Sequence, residues 1–230
     1  MEKSAAAKYF EENHYVKITN FIKPEEASFL YDYIKLAAYR CVYIENSMVN
    51  FNEEIFGTFN DKQAPGDYSK YGDLIFDTLL ARKLPEMEFL TGKKLIPNYS
   101  YHRLYTTDTE LVRHKDRPSC EISTTLCLGY DVSNVDLNKY PDFDWPMFVG
   151  PKNGEEGTIG TPIHMKPGDM IIYRGCELEH WREPFIGKNH AQVFLHYNEY
   201  EGKYNIINDG RPVLGLPASF KTNLDNNLKV

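Results

Sequence analysis

The sequence predicts a mainly β fold: a double-stranded β-helix (jelly roll) with N-terminal helices packed on the major sheet. Three observations predict it. From about Leu95 the chain breaks into short, β-branched, alternating runs separated by Pro, Gly and Asp clusters, the texture of a sandwich or barrel. Before Leu95, apolar residues recur instead at helical spacing. Third, segment 190–197 puts Ala191, Val193, Leu195 and Tyr197 on one face and His190, Gln192, Phe194 and His196 on the other. An ordinary sandwich is apolar inside and wet outside. Here the apolar face suits helices packed outside, and the polar face suits an internal pocket.

The elements follow in order. Met1 to Asn13 reads as a short polar helix or a frayed end, and Tyr15–Ile18 alternates like a strand. Pro24-Glu25-Glu26 starts a helix, because Pro suits the first turn and acids suit the positive end of the helix dipole. Its stripe is Phe29, Leu30, Tyr33, Ile34 and Ala37, over about 24–38. A second helix is expected from Tyr68 to Arg82, with Tyr71, Leu74, Ile75, Thr78 and Leu79 as its stripe. A short helical piece follows from Pro85 to Leu90 and stops at Thr91-Gly92. Strands are expected near 99–105, 111–116, 121–128, 146–149, 162–165, 169–174, 178–182 and 190–197. Closing them as two sheets limits exposed edges. Asp131 to Gly160 is the longest irregular stretch, a loop that either carries specificity or is a plain surface insertion. The tail from Ser219 is polar and is expected to be loosely ordered.

The 230 residues are read as one domain: a helical flank over about 1–94, a core over about 95–200 and a C-terminal extension over about 201–230. At 42% hydrophobic and 14% aromatic residues, the core needs no disulfide or structural metal. A net charge of −7 argues against non-specific nucleic-acid binding, which needs clustered Lys and Arg. Cys41, Cys120, Cys127 and Cys176 form no C-x-x-C pair and are expected to be reduced. Met1 to Glu12 is charged and lacks an apolar run, so a cytoplasmic protein with no membrane or nucleic-acid partner is expected.

Val112-Arg113-His114-Lys115-Asp116 carries the chemistry. On a strand, His114 and Asp116 project to one side, where an imidazole and a carboxylate can grip one metal. His180 supplies a third ligand, beyond the turn at Pro167-Gly168. Two His and one carboxylate on one side of an iron leave the other side open, as in the facial triad of non-haem Fe(II) oxygenases. A lone H-x-D is weak evidence, and isolated histidines are usually structural. The distant His180 sharpens the pattern.

Residues 95–200 resemble the 2-oxoglutarate/Fe(II)-dependent dioxygenases, especially the prolyl 4-hydroxylase-like branch. The resemblance rests on the run from Tyr105 to Asp116, on Met165 to Asp169, on His180 to Pro184 and on Gly187 to Tyr197. It implies Fe(II) on His114, Asp116 and His180, with 2-oxoglutarate and O₂ as cosubstrates and ascorbate as a stimulant. It implies hydroxylation of a C–H bond, with 2-oxoglutarate decarboxylated to succinate and CO₂. Peptidyl proline is the first substrate it suggests, and a small metabolite or amino-acid derivative the second. In such proteins an Arg or Lys nine to ten residues after the distal His holds the far carboxylate of the cosubstrate. This chain departs from that pattern: His190 stands there, with Lys188 two residues earlier. His190 is preferred for its register; Lys188 is the better permanent cation. Arg182 and Arg103 are further cations. Tyr105 matches a family position near the metal, from which the resemblance suggests a bond to the cosubstrate, though the plain reading is a core tyrosine. The departure also leaves open a metal-bearing jelly-roll binding protein without oxygenase activity, a cupin-like isomerase or a thiol-type oxygenase.

Overall fold

The structure is a computed structural model that describes residues 3–47, 50–141 and 143–222. Two antiparallel sheets face each other. The major sheet has six strands. In chain order they are β1 (Tyr15–Ile18), β2 (Tyr68–Tyr71), β3 (Leu95–Thr106), β5 (Ser123–Asp131), β8 (Met170–Tyr173) and β10 (Asn189–Glu199), and in space they run β1-β8-β5-β10-β3-β2. The minor sheet runs β4-β9-β6-β7, from β4 (Leu111–His114), β6 (Met147–Val149), β7 (Thr161–Ile163) and β9 (His180–Arg182). This is the predicted jelly roll, and the N-terminal part contributes both edge strands of the major sheet.

Helices cover the outer face of that sheet. Ala191, Val193, Leu195 and Tyr197 of β10 share one buried cluster with α2 (Pro24–Glu45) and α4 (Leu74–Thr91), between which the chain makes the one-turn helix α3 (Glu53–Phe56), as the reversed polarity of this strand predicts. α1 (Ala5–Asn13) packs against α4 and β1. The buried stripe of α2 is Ala27, Leu30, Ile34, Ala37, Ala38 and Cys41. The helix runs seven residues past the predicted end, and Phe29, expected in the stripe, is 66% exposed. Each fully buried Leu or Ile here stabilises by roughly 1.5–3 kcal/mol.

The second predicted helix needs a larger correction. Tyr68–Tyr71 is a strand, pairing with Tyr101–Leu104 of β3. The helix starts only after Asp73, whose Oδ1 accepts the Ile75 N–H at 3.0 Å. It then runs unbroken through Pro85 to Thr91. Its buried face is Phe76, Asp77, Leu79, Leu80, Met87 and Thr91, so Leu74, Ile75 and Thr78 are not core residues. A Tyr-rich segment beside an open sheet edge gains ladder hydrogen bonds that a helix of its own could not offset.

The C-terminal extension folds back on β3. Arg211 donates to the Asn98 carbonyl at 3.0 Å and pairs with Asp77 at 3.1 Å. One helical turn, Ala218–Phe220, falls inside the polar tail; the rest of the tail, residues 223–230, lies outside the described residues. All four cysteines are free. No helix among the described residues is long and apolar enough to cross a membrane.

His102 of β3 is wholly buried between the Tyr68 and Phe76 rings, and neither ring nitrogen is hydrogen-bonded among the described residues. Burial pushes it down to about 4, against a partly opposing pull from Asp73. The unfolded chain therefore binds a proton near pH 6.5 that the folded chain refuses. Stability should be full above that pH and fall as pH drops through 6.5 towards 4, by about 2 kcal/mol at pH 5 from this residue. The His102→Phe variant should flatten the acid limb of a urea-unfolding pH series. An unchanged slope between pH 7 and pH 5 would contradict this.

Candidate metal centre and its cavity

β4 and β9 pair with His114 opposite His180. Just past β4, Asp116 turns inward and donates its backbone N–H to the Gly175 carbonyl at 2.8 Å. The Nε2 atoms of His114 and His180 lie 3.7 and 3.5 Å from Asp116 Oδ1. One ligand atom from each of the three residues falls within 4.8 Å of the others. The structure thus brings together the three residues singled out by sequence.

Their outward-facing atoms are anchored. His114 Nδ1–H donates to the Val112 carbonyl at 2.7 Å, and His180 Nδ1–H to the Leu178 carbonyl at 3.1 Å. A ring that donates through Nδ1 keeps a free lone pair on Nε2, so both rings aim a ligand atom at the same point. Asp116 Oδ2 accepts the Ser123 hydroxyl at 2.7 Å, and Ser123 Oγ in turn accepts from His196 Nδ1 at 3.0 Å. That leaves Oδ1 to the histidines. Gly175 has no Cβ for a reason: one would meet Asp116 Oδ2 at 2.3 Å and the Cys120 carbonyl at 2.5 Å.

Electrostatics match this geometry. Burial by itself would raise the Asp116 carboxyl, but His180, His196 and Ser123 outweigh it and hold the group far below the usual carboxylate range. Burial would lower His180, and the Asp116 carboxylate more than reverses this. Burial and then His180 lower His114. An ionised, largely buried carboxylate beside two imidazole nitrogens is a donor set for a divalent cation.

These residues line one wall of a cavity of about 460 Å³, a volume typical of small-molecule sites. Thr125, Met147, Tyr173, Arg182, Gln192 and Phe194 wall its interior alongside the triad. Tyr71, Tyr99, Tyr101, Arg103, Arg117 and Asp61 also line it.

The residues expected to bind the cosubstrate do not line this cavity. Lys188 is half exposed, 3.9 Å from Asp131, and does not line the cavity. The His190 ring is buried among Tyr130, Trp145 and Phe185, and it too is absent from the cavity wall. Burial, then Arg182, hold it well below the usual histidine value, so it carries no positive charge near neutrality. Tyr105 is fully buried edge-on to Trp145, and its hydroxyl accepts from Arg103 at 3.3 Å. Arg103 itself is paired with Asp61 at 2.6 Å. Sequence reasoning assigned no role to Ser123 or Gly175. A small residue where β8 ends was too weak a signal to find the latter.

No family model and no curated protein matches the chain. Solved structures do. EctD from S. alaskensis with bound Fe aligns over 92% of this chain and 85% of its own, with a TM-score of 0.61 and 17% identity. HygX from Streptomyces hygroscopicus, with nickel, 2-oxoglutarate and hygromycin B bound, aligns over 87% and 89%, with a TM-score of 0.60 and 13% identity. A Pseudomonas putida prolyl-4-hydroxylase aligns over 85% and 97%, with a TM-score of 0.53 and 13% identity. At these identities the likeness establishes the fold. The chain has the double-stranded β-helix that these structures share.

Proposed function

We propose that this protein is an Fe(II)- and 2-oxoglutarate-dependent dioxygenase that hydroxylates a C–H bond. The observation that carries the reading is the His114–Asp116–His180 cluster on the wall of a half-open cavity. Its donor set is that of the facial triad, which leaves positions open on the metal. The iron and its cosubstrate, when bound, supply the oxidising chemistry and yield succinate and CO₂. The chain's own residues do the positioning. Val112 and Leu178 carbonyls fix the two rings, and Ser123 fixes the carboxylate. Leu111, Met147 and Phe194 give the cavity apolar wall that excludes water around the reacting C–H.

Between the two substrates suggested by the resemblance, the cavity favours a compact polar molecule over peptidyl proline. Asp209, from the C-terminal extension, accepts from Tyr71 at 2.8 Å and from Arg117 at 2.7 Å. Both partners line the cavity, so the extension is tied to its wall and takes up room that an extended chain would need. HygX and EctD share this fold, and the HygX structure holds a small polar molecule, hygromycin B.

The test measures succinate from protein, Fe(II), ascorbate and 2-oxoglutarate. One arm adds proline-containing peptides and the other a panel of small amino-acid derivatives. Substrate-stimulated succinate is expected in the second arm. Stimulation by peptides alone would reverse the substrate reading. The absence of iron-dependent succinate in every arm, together with no 2-oxoglutarate binding, would overturn the dioxygenase reading.

A further inference from the structure

Three arginine side chains are buried among the described residues: Arg103, Arg182 and Arg211. Arg103 is paired with Asp61 and Arg211 with Asp77. Among the described residues Arg182 has no carboxylate within ion-pair distance. One nitrogen, Nη1, donates to the Trp145 carbonyl, and the guanidinium lies over the Trp145 ring at 4.6 Å. The other, Nη2, has no partner. Leaving a guanidinium buried with one arm unsatisfied costs several kcal/mol unless an anion completes it.

Two further orphans stand on the same cavity wall. Thr125 Oγ1 lies near the Tyr173 hydroxyl but outside hydrogen-bond geometry, and Gln192 Oε1 has no partner. The other end of the Gln192 amide sits 3.3 Å from His190 Nδ1. The two ends of a carboxamide have the same shape. With the amide turned over, its oxygen accepts His190 Nδ1–H and its NH₂ faces the cavity. Arg182, Thr125 and Gln192 then present three donors, the set that a carboxylate takes. His190, which burial keeps neutral, orients the amide and does not touch the anion.

We infer that Arg182, with Thr125 and Gln192, is the buried carboxylate site of this cavity and holds the far carboxylate of the 2-oxo acid cosubstrate. The inference rests on the dioxygenase reading and relocates its cation. Arg182 is two residues after His180 on β9, hence on the same face and about 6.7 Å along the strand. That separation suits a five-carbon dicarboxylate gripped at one end by a metal on His180 and at the other by the guanidinium. The position that should carry the cation on β10 is filled instead by a neutral histidine in an aromatic cage.

The test uses calorimetric titration of the full-length protein loaded with Ni(II), which needs no turnover. The probes are 2-oxoglutarate and 2-oxobutyrate, which has the same 2-oxo acid end and no far carboxylate. Wild type should prefer 2-oxoglutarate by about 100-fold, the scale of a buried charge-assisted bidentate pair. Arg182→Met should abolish that preference while leaving Ni(II) stoichiometry and 2-oxobutyrate affinity unchanged. Lys188→Met should change neither ligand. Because Arg182→Met removes a buried side chain, Gln192→Glu serves as a second variant. Its new carboxylate would pair with Arg182, preserve the fold, and exclude 2-oxoglutarate while sparing 2-oxobutyrate. Retention of 2-oxoglutarate affinity within threefold in either folded variant, or an equal loss in Lys188→Met, would overturn the assignment of Arg182 and leave the dioxygenase reading intact. Wild type that binds Ni(II) but not 2-oxoglutarate would overturn both.

Discussion

Asp116→Ala is expected to lower Fe(II) or Ni(II) affinity by more than about 100-fold, beyond the 10–100-fold typical of an outer-shell supporting residue. The carboxylate is the one formal negative charge in the cluster, and its Oδ1 is the atom nearest both histidine Nε2 atoms. The same substitution frees His180 from the charge that raises it, so the imidazoles alone remain as neutral donors. Asp116→Asn should fall between, because an amide oxygen keeps the position but not the charge. Metal content after dialysis, read against a melting curve for each variant, checks this. Stoichiometric metal retained in a folded Asp116→Ala protein would show that the ion lies elsewhere.

The second large effect is expected at a residue that touches no ligand. In Gly175→Ala the added methyl carbon would stand 2.3 Å from Asp116 Oδ2, 2.5 Å from the Cys120 carbonyl and 2.7 Å from Ser123 Oγ. One of these neighbours is the carboxylate itself, one is the hydroxyl that holds it, and the third is backbone. The carboxylate must swing away or the β8–β9 connection must move. Metal affinity should drop about 10–100-fold, as for loss of an outer-shell partner, with roughly 1–3 kcal/mol of stability lost to overpacking. Ser123→Ala, which deletes the hydrogen bond without adding volume, should affect metal binding with less effect on stability. Equal metal affinity in Gly175→Ala and wild type would mean that the carboxylate has room not apparent from its packing.

Some of this was legible because strand geometry is local. A period of two along segment 112–116 put His114 and Asp116 on one side, and although β4 ends at His114, Asp116 just beyond it does turn inward, held by Gly175. The same rule read the two faces of segment 190–197, and β10 does turn Ala191, Val193, Leu195 and Tyr197 to the helices. It also turns Gln192, Phe194 and His196 to the cavity. The helical stripes were less legible, since Phe29 and Ile75 are apolar and helical yet face outward. Amphipathic spacing admits neighbouring stripes, and the sheet selects among them.

What the sequence determined by itself was the jelly-roll class, the reversed polarity of one strand, and a His-x-Asp pair expected on one face. Those follow from periodicities of two and 3.6 residues, which belong to the backbone. What only the tertiary structure decided was which cationic side chains line the cavity. Lys188 and His190 fit a spacing rule along one strand. Where their side chains end depends on the aromatic cage of Tyr130, Trp145 and Phe185, drawn from three distant segments. Arg182 carries no mark in the sequence beyond its parity with His180. Its unsatisfied nitrogen exists only because two sheets close around it and take away the water.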